Sequence, residues 1–182
     1  MEAGWYRYKS EWHFFNDGTI QPRFGFAAVQ DSCTCNLHIH HAYWRLDFDV
    51  GGTTPNQVQT WDGTRWVPIE KEEKQSRDAT HQLWRVVNTN TGSAYLITPG
   101  ATDGTADRYG KGDFWSLKYN RGELDDLSVY TGTSANIDAF VNGESLLNQD
   151  IVTWYGVHFI HDAGHEGRVP SIIGPTLSPI QW

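Results

Sequence analysis

Turn signals punctuate this chain so often that no long helix fits between them. Asn16-Asp17-Gly18, Gly51-Gly52, Asp62-Gly63, Asn90-Thr91-Gly92, Asp103-Gly104, Asn120-Arg121-Gly122 and Asn142-Gly143 cut the sequence into short runs. The runs between them are rich in aromatic and β-branched residues, which fit a pleated, half-buried surface. Short strands at this spacing predict an all-β fold, an antiparallel β-sandwich. Strands are expected at 6–15, 19–27, 38–50, 57–61, 81–87, 94–98, 113–118, 151–159 and 171–177. The charged stretch 70–78 reads as a solvated loop or hairpin tip, and the Gly-, Asp- and Thr-rich stretch 99–112 as a loop. No repeat or linker divides the chain, so a single domain over residues 1–182 is expected.

Only 38% of the residues are hydrophobic, but nine Trp, eight Tyr and eight Phe are among them. A core built on rings buries much area with few residues. The net charge of -8 argues against nucleic acid as a partner, because phosphate neutralisation needs clustered Lys and Arg. No run of about eighteen apolar residues is present, so no membrane-spanning helix is expected. The first residues, MEAGWYRYK, lack the apolar stretch of a signal peptide. Cys33 and Cys35 stand one residue apart, and a bond between them would close a ring with little chain entropy to remove. A stabilising disulfide is therefore not expected, and the compartment stays open.

The segment from His38 to Gly51 carries the most chemical information. Read with a period of two, His38, His40, Ala42, Trp44, Leu46, Phe48 and Val50 share one face, and Ile39, His41, Tyr43, Arg45, Asp47 and Asp49 share the other. Two imidazoles thus point with the core residues, about 7 Å apart along the strand. Burying neutral imidazoles costs free energy unless their nitrogens find partners, and a metal ion is one efficient partner. The alternative is a pair of histidines hydrogen-bonded in a polar core.

Several motifs in this order resemble the C-terminal, copper-binding part of the copper amine oxidases. In that family a His-x-His pair precedes an aromatic stretch and Arg-Leu-Asp-x-Asp, as His38 and His40 precede Arg45-Leu46-Asp47-Phe48-Asp49 here. Trp12 to Ile20, Leu83 to Asn88 with Gly92 and Tyr95, Asp150 to Trp154, and Gly174 to Pro179 are similar to further family segments, so the resemblance covers nearly the whole chain. It implies the family's β-sandwich and a mononuclear Cu(II) site on His38, His40 and His161. Three imidazoles alone would suit copper, zinc, iron or nickel. His41, His158 and His165 are neighbouring alternatives. Alternation turns His41 off the ligand face, and His158, at a family glycine, is expected as support around the ligands rather than as one of them. The resemblance also implies a peripheral calcium ion on Asp47, Asp49 and Asp150 with the backbone carbonyls of Phe48 and Ile151, a set of hard oxygen ligands.

The family makes topaquinone from a tyrosine beside the copper, and Tyr6 stands in register for it. Its neighbours, Trp5 and Arg7, are not the family's Asn and acid, and the family's catalytic aspartate lies upstream of Tyr6. Amine oxidation needs a positioned base to take the substrate's α-proton. The expectation is therefore a copper-dependent oxidoreductase-like protein acting on a small molecule without topaquinone. Two alternatives stand beside it. One is a topaquinone-dependent primary-amine oxidase with its cofactor from Tyr6 and a base from another chain, Asp17 or Asp162. The other is a copper-binding module without catalysis. The resemblance further implies a homodimer, with a separate subunit able to supply the family's remaining half.

Overall fold

The computed structural model describes residues 2–3, 6–27, 37–78, 83–108, 111–125, 136–161 and 172–181, and for residues 2, 3, 6, 7 and 27 the backbone alone. The strands are β1 (Glu2–Ala3), β2 (Tyr6–Phe14), β3 (Ile20–Ala27), β4 (His38–Asp47), β5 (Asn56–Trp61), β6 (Trp66–Pro68), β7 (Glu73–Gln75), β8 (Trp84–Asn88), β9 (Ala94–Thr98), β10 (Phe114–Lys118), β11 (Ile151–His161) and β12 (Thr176–Ile180). Among the described residues they form two antiparallel sheets. The larger has the order β1-β2-β3-β12-β9-β8-β5-β6, and the smaller β4-β11-β10-β7. The expected all-β sandwich is what the chain forms.

The main core lies between the sheets. Val58, Trp84, Val86, Ile97 and Leu177 of the larger sheet meet Trp44, Leu46, Phe114, Tyr155 and Val157 of the smaller. Trp84 stacks on Phe114 with ring centroids 4.4 Å apart, and its indole N–H donates to Gln75 Oε1 at 2.6 Å. Burying an apolar side chain of this kind contributes about 1.5–3 kcal/mol. A second core covers the opposite face of the smaller sheet, where Trp115, Leu117, Val152 and Trp154 meet Ile137 and Phe140. Those two residues sit on a 3₁₀ turn, Ile137–Phe140. Asp138 of that turn accepts hydrogen bonds from the Trp115 indole and the Lys74 ammonium. Consequently β11 is buried on both faces, with only Ile160 exposed along its length.

Four expectations need correction. The stretch 70–78 is not all solvated loop, because it contains β7, which pairs with β10 at the edge of the smaller sheet. Its charges point outward with two exceptions: buried Glu72 accepts the backbone N–H groups of Lys118 and Asn142, and Arg77 turns inward to the fully buried Asp113, Nη2 to Oδ1 at 3.1 Å. β4 ends at Asp47 rather than Val50, because Val50 to Pro55 is a turn region. The last strand runs Thr176–Ile180 instead of 171–177 and includes Pro179. Pro179 lies opposite Tyr95 of β9, beyond Leu177, the one rung that β12 shares with β3, so its β3 side has no ladder to interrupt. β6 was not expected at all; it pairs with β5 after the Asp62-Gly63 turn.

Candidate metal centre

The pairing of β4 with β11 builds the site. It runs from Asp47 opposite Val152 to His38 opposite His161, the last rung. Side chains alternate across this ladder. His38, His40, Phe159 and His161 therefore share the face toward the main core, while Ile39, His41, His158 and Ile160 share the reverse face. On the core side the three imidazoles come together, each offering a nitrogen within 4.8 Å of the others. His38 and His161 approach most closely, Nε2 to Nδ1 at 3.4 Å. Their surroundings are apolar. Phe26 of the larger sheet lies with its ring centroid 4.4 Å from that of His40 and 4.6 Å from that of His161, and Phe159 stacks on His40 at 5.4 Å. His161 is fully buried and the other two partly so.

Burial, and then His38, His161 and His41 nearby, push the His40 imidazole down to about 4. It is neutral at pH 7 and keeps a nitrogen lone pair, the form a metal takes. The donor set, its mutual reach and the neutral His40 ring thus fit a transition-metal ion.

His41 points to the reverse face, as alternation requires. His158 joins it there, its Nδ1 2.7 Å from His41 Nδ1. His158 is therefore off the ligand face: position 158 is out of phase with 161, so the pleat turns its side chain away. His165 and Asp162 lie outside the described residues, as do Cys33 and Cys35. Asp17 accepts the Thr19 backbone N–H in the turn between β2 and β3. That turn is at the end of β3 remote from Phe26, about 20 Å along the strand, so Asp17 is no base for chemistry at the three histidines. Tyr6 opens β2, and Tyr8 two residues on is the partner of Phe26. The Tyr6 backbone is thereby at the histidine end of the sandwich.

A second constellation lies at the other end of β4 and the start of β11, where Asp47, Asp49 and Asp150 bring carboxylate oxygens within 4.8 Å of one another. Burial, then Asp49 and Asp47, raise the Asp150 carboxyl above its ordinary value. Its Oδ1 is buried without a hydrogen-bond partner among the described residues. A cation would relieve both the repulsion and the unmet acceptor. Arg45 partly offsets the charge through Nη1, 3.3 Å from Asp47 Oδ2.

An open cleft of about 740 Å³ lies beside the ends of β5, β8 and β9, lined by Trp61, Arg77, Asp78, Leu83 and Pro99 among others. None of the three histidines lines it. Only its composition could have signalled it in the sequence, and that was not distinctive.

The sequence matches no family model and no curated protein. Solved structures do match over almost the whole chain. A copper-containing benzylamine oxidase from Hansenula polymorpha superposes with a TM-score of 0.78 at 18% identity, over 99% of this chain and 38% of its own. This is the copper amine oxidase fold. An amine oxidase of Aspergillus nidulans gives a TM-score of 0.74 at 17% identity, over 99% of this chain and 33% of its own. The lysyl oxidase of Pichia pastoris also gives 0.74 at 17% identity, over 97% of this chain and 33% of its own. The chain thus carries the copper amine oxidase fold while spanning little more than a third of the length of these proteins.

Proposed function

We propose that this chain is a mononuclear copper protein of oxidoreductase type, in which His38, His40 and His161 hold Cu(II) and Tyr6 remains an ordinary phenol. The observation that carries the reading is the meeting of three imidazole nitrogens within 4.8 Å on the last rungs of one ladder, in an apolar pocket. Bound copper would supply one-electron redox chemistry and a Lewis-acidic position for a small-molecule substrate. The chain's own part is to hold the three imidazoles in place and to exclude water with Phe26 and Phe159. The same reading takes residues 1–182 as one domain, working as a homodimer, with a separate subunit able to add the segment that the longer fold relatives contain.

A second reading, amine oxidation through topaquinone on Tyr6, is favoured by one fact: the backbone of Tyr6 is at the histidine end of the sandwich. Trp5 and Arg7 beside it speak against the cofactor. Mass spectrometry of the Tyr6 peptide after aerobic copper loading decides between the two. Copper at one equivalent with an unmodified tyrosine mass is the expected result. A quinone-sized gain of oxygen would replace this reading with the amine oxidase one.

We also propose calcium at Asp47, Asp49 and Asp150, with the carbonyls of Phe48 and Ile151. The support is the crowding of carboxylates and the unmet acceptor of Asp150. The ion would tie the end of β4 to the start of β11. Protein freed of divalent ions, reloaded with copper and melted with and without calcium tests this. A ligand at about a hundred times its dissociation constant stabilises the folded state by about 2.7 kcal/mol, or about 5–10 °C for a chain of this size. A melting temperature indifferent to millimolar calcium sinks the idea.

A further inference from the structure

The reverse face of the β4–β11 ladder holds a chain of buried polar groups that the copper reading does not use. His158 is 4% exposed, and its backbone N–H donates to the Asp103 carbonyl at 2.7 Å. Its Nε2 faces two acceptors, the Gly112 carbonyl at 3.0 Å and Asp113 Oδ1 at 3.2 Å, so Nε2 carries a proton. Asp113 is fully buried and cannot turn away. Its Oδ1 also accepts the Ala106 N–H at 2.8 Å and lies 3.1 Å from Arg77 Nη2, while Oδ2 accepts the Arg77 backbone N–H at 2.7 Å. The His158 ring is therefore fixed in plane and tautomer by a carboxylate that is itself fixed. At its other end, Nδ1 meets His41 Nδ1 at 2.7 Å, a distance at which one proton must lie between the two nitrogens. With both rings neutral, His41 donates and His158 accepts.

The position of this bond gives it a consequence. The last rungs of the ladder are His41–His158, His40–Phe159, Ile39–Ile160 and His38–His161. On the reverse face, the outer rung is the exposed pair Ile39 and Ile160, which ties nothing down. The imidazole pair is thus the cross-strand polar link nearest to the three clustered histidines, and strand ends without such links fray. It also joins the residue next to His40 on one strand to the strand of His161 on the other.

We propose that His158 is a positioning residue for the metal centre: anchored by Asp113, it locks His41 and so holds the last rungs of the ladder in the stagger that brings His38 and His40 to His161. This rests on the copper reading above. A buried partner that orients a ligand-bearing element typically changes metal affinity about 10–100-fold when removed.

The test uses the full chain and Cu(II) alone. In His158→Phe the dissociation constant for Cu(II) should rise about 10–100-fold, and the copper EPR spectrum should shift or split into several species. His158→Gln can donate to Asp113 and accept from His41, and should restore most of the affinity and a single spectrum. If His158→Phe does not fold, His41→Phe takes its place, because it removes the link and leaves the Asp113–His158 contact intact. Imidazole nitrogen NMR of the metal-free wild type should show the proton of His158 on Nε2 and that of His41 on Nδ1. A folded His158→Phe or His41→Phe protein with affinity within about twofold of wild type and a superimposable EPR spectrum overturns the positioning role alone. A wild-type protein that takes up no Cu(II) overturns the copper reading and the positioning role with it.

Discussion

Copper binding is expected to be lost in His161→Ala, with the variant still folded. Structural zinc sites in small peptides bind with about 10–16 kcal/mol shared among four ligands, so one ligand is worth about 2.5–4 kcal/mol. Its loss should weaken binding by about 60- to 700-fold. His161 is the only one of the three imidazoles contributed by β11, so its removal leaves two nitrogens on a single strand and no cross-strand closure. His38→Ala and His40→Ala should behave alike, since each leaves one nitrogen from β4 and one from β11. Titration of Cu(II) into each purified variant, with melting curves to verify folding, reads the effect. Wild-type affinity in His161→Ala would place the ligand set elsewhere and sink the proposed centre.

The largest expected loss of stability is at Gly104. Its φ of +67° is a left-handed conformation that side chains disfavour, and a Cβ there would overlap the His158 carbonyl oxygen and lie 2.9 Å from its carbon. The obstacle is backbone of a strand buried on both faces, which cannot move aside as a flexible side chain could. Gly104→Ala should cost more than about 4 kcal/mol, the range reserved for single changes that break a buried network. That corresponds to a fall of about 8–16 °C in Tm. Gly143→Ala is the internal comparison, with φ of +85° and no atom within 4 Å of the added Cβ. It should lose only the conformational cost, about 1–2 kcal/mol. Equal melting temperatures for the two variants would show that the loop from Gly100 to Ala106 yields easily. It would also show that the close seat of Gly104 against β11 contributes little. Copper titration of Gly104→Ala is informative as well, because the same loop supplies the Asp103 carbonyl to His158 and the Ala106 N–H to Asp113.

The sequence by itself determined the class of fold and, with the family resemblance, singled out the three histidines that come together. Alternation along 38–47 assigns His38 and His40 to the face of Trp44 and Leu46, because the strand period of two is a local property of the backbone and needs no partner. The same local logic turns His41 away. The resemblance to the copper amine oxidases pointed to His161 as the distant third imidazole, and the turn dipeptides bounded most strands to within a few residues. What alternation could not supply was the partner of each face. The charged β7 reads as loop because an edge strand exposes its side chains to water, and nothing local distinguishes it from a solvated hairpin tip. β11 is buried on both sides because the 3₁₀ turn Ile137–Phe140 covers Val152 and Trp154 while the segment carrying Asp103, Gly112 and Asp113 covers Gly156 and His158, contacts between segments far apart in the chain. The partner of His158 was illegible for a related reason. Closeness to His161 in sequence says little, whereas the antiparallel register that sets it opposite His41 depends on a strand more than a hundred residues away. Local backbone geometry therefore decides which way each side chain points, and only the tertiary pairing of β4 with β11 decides what it meets there.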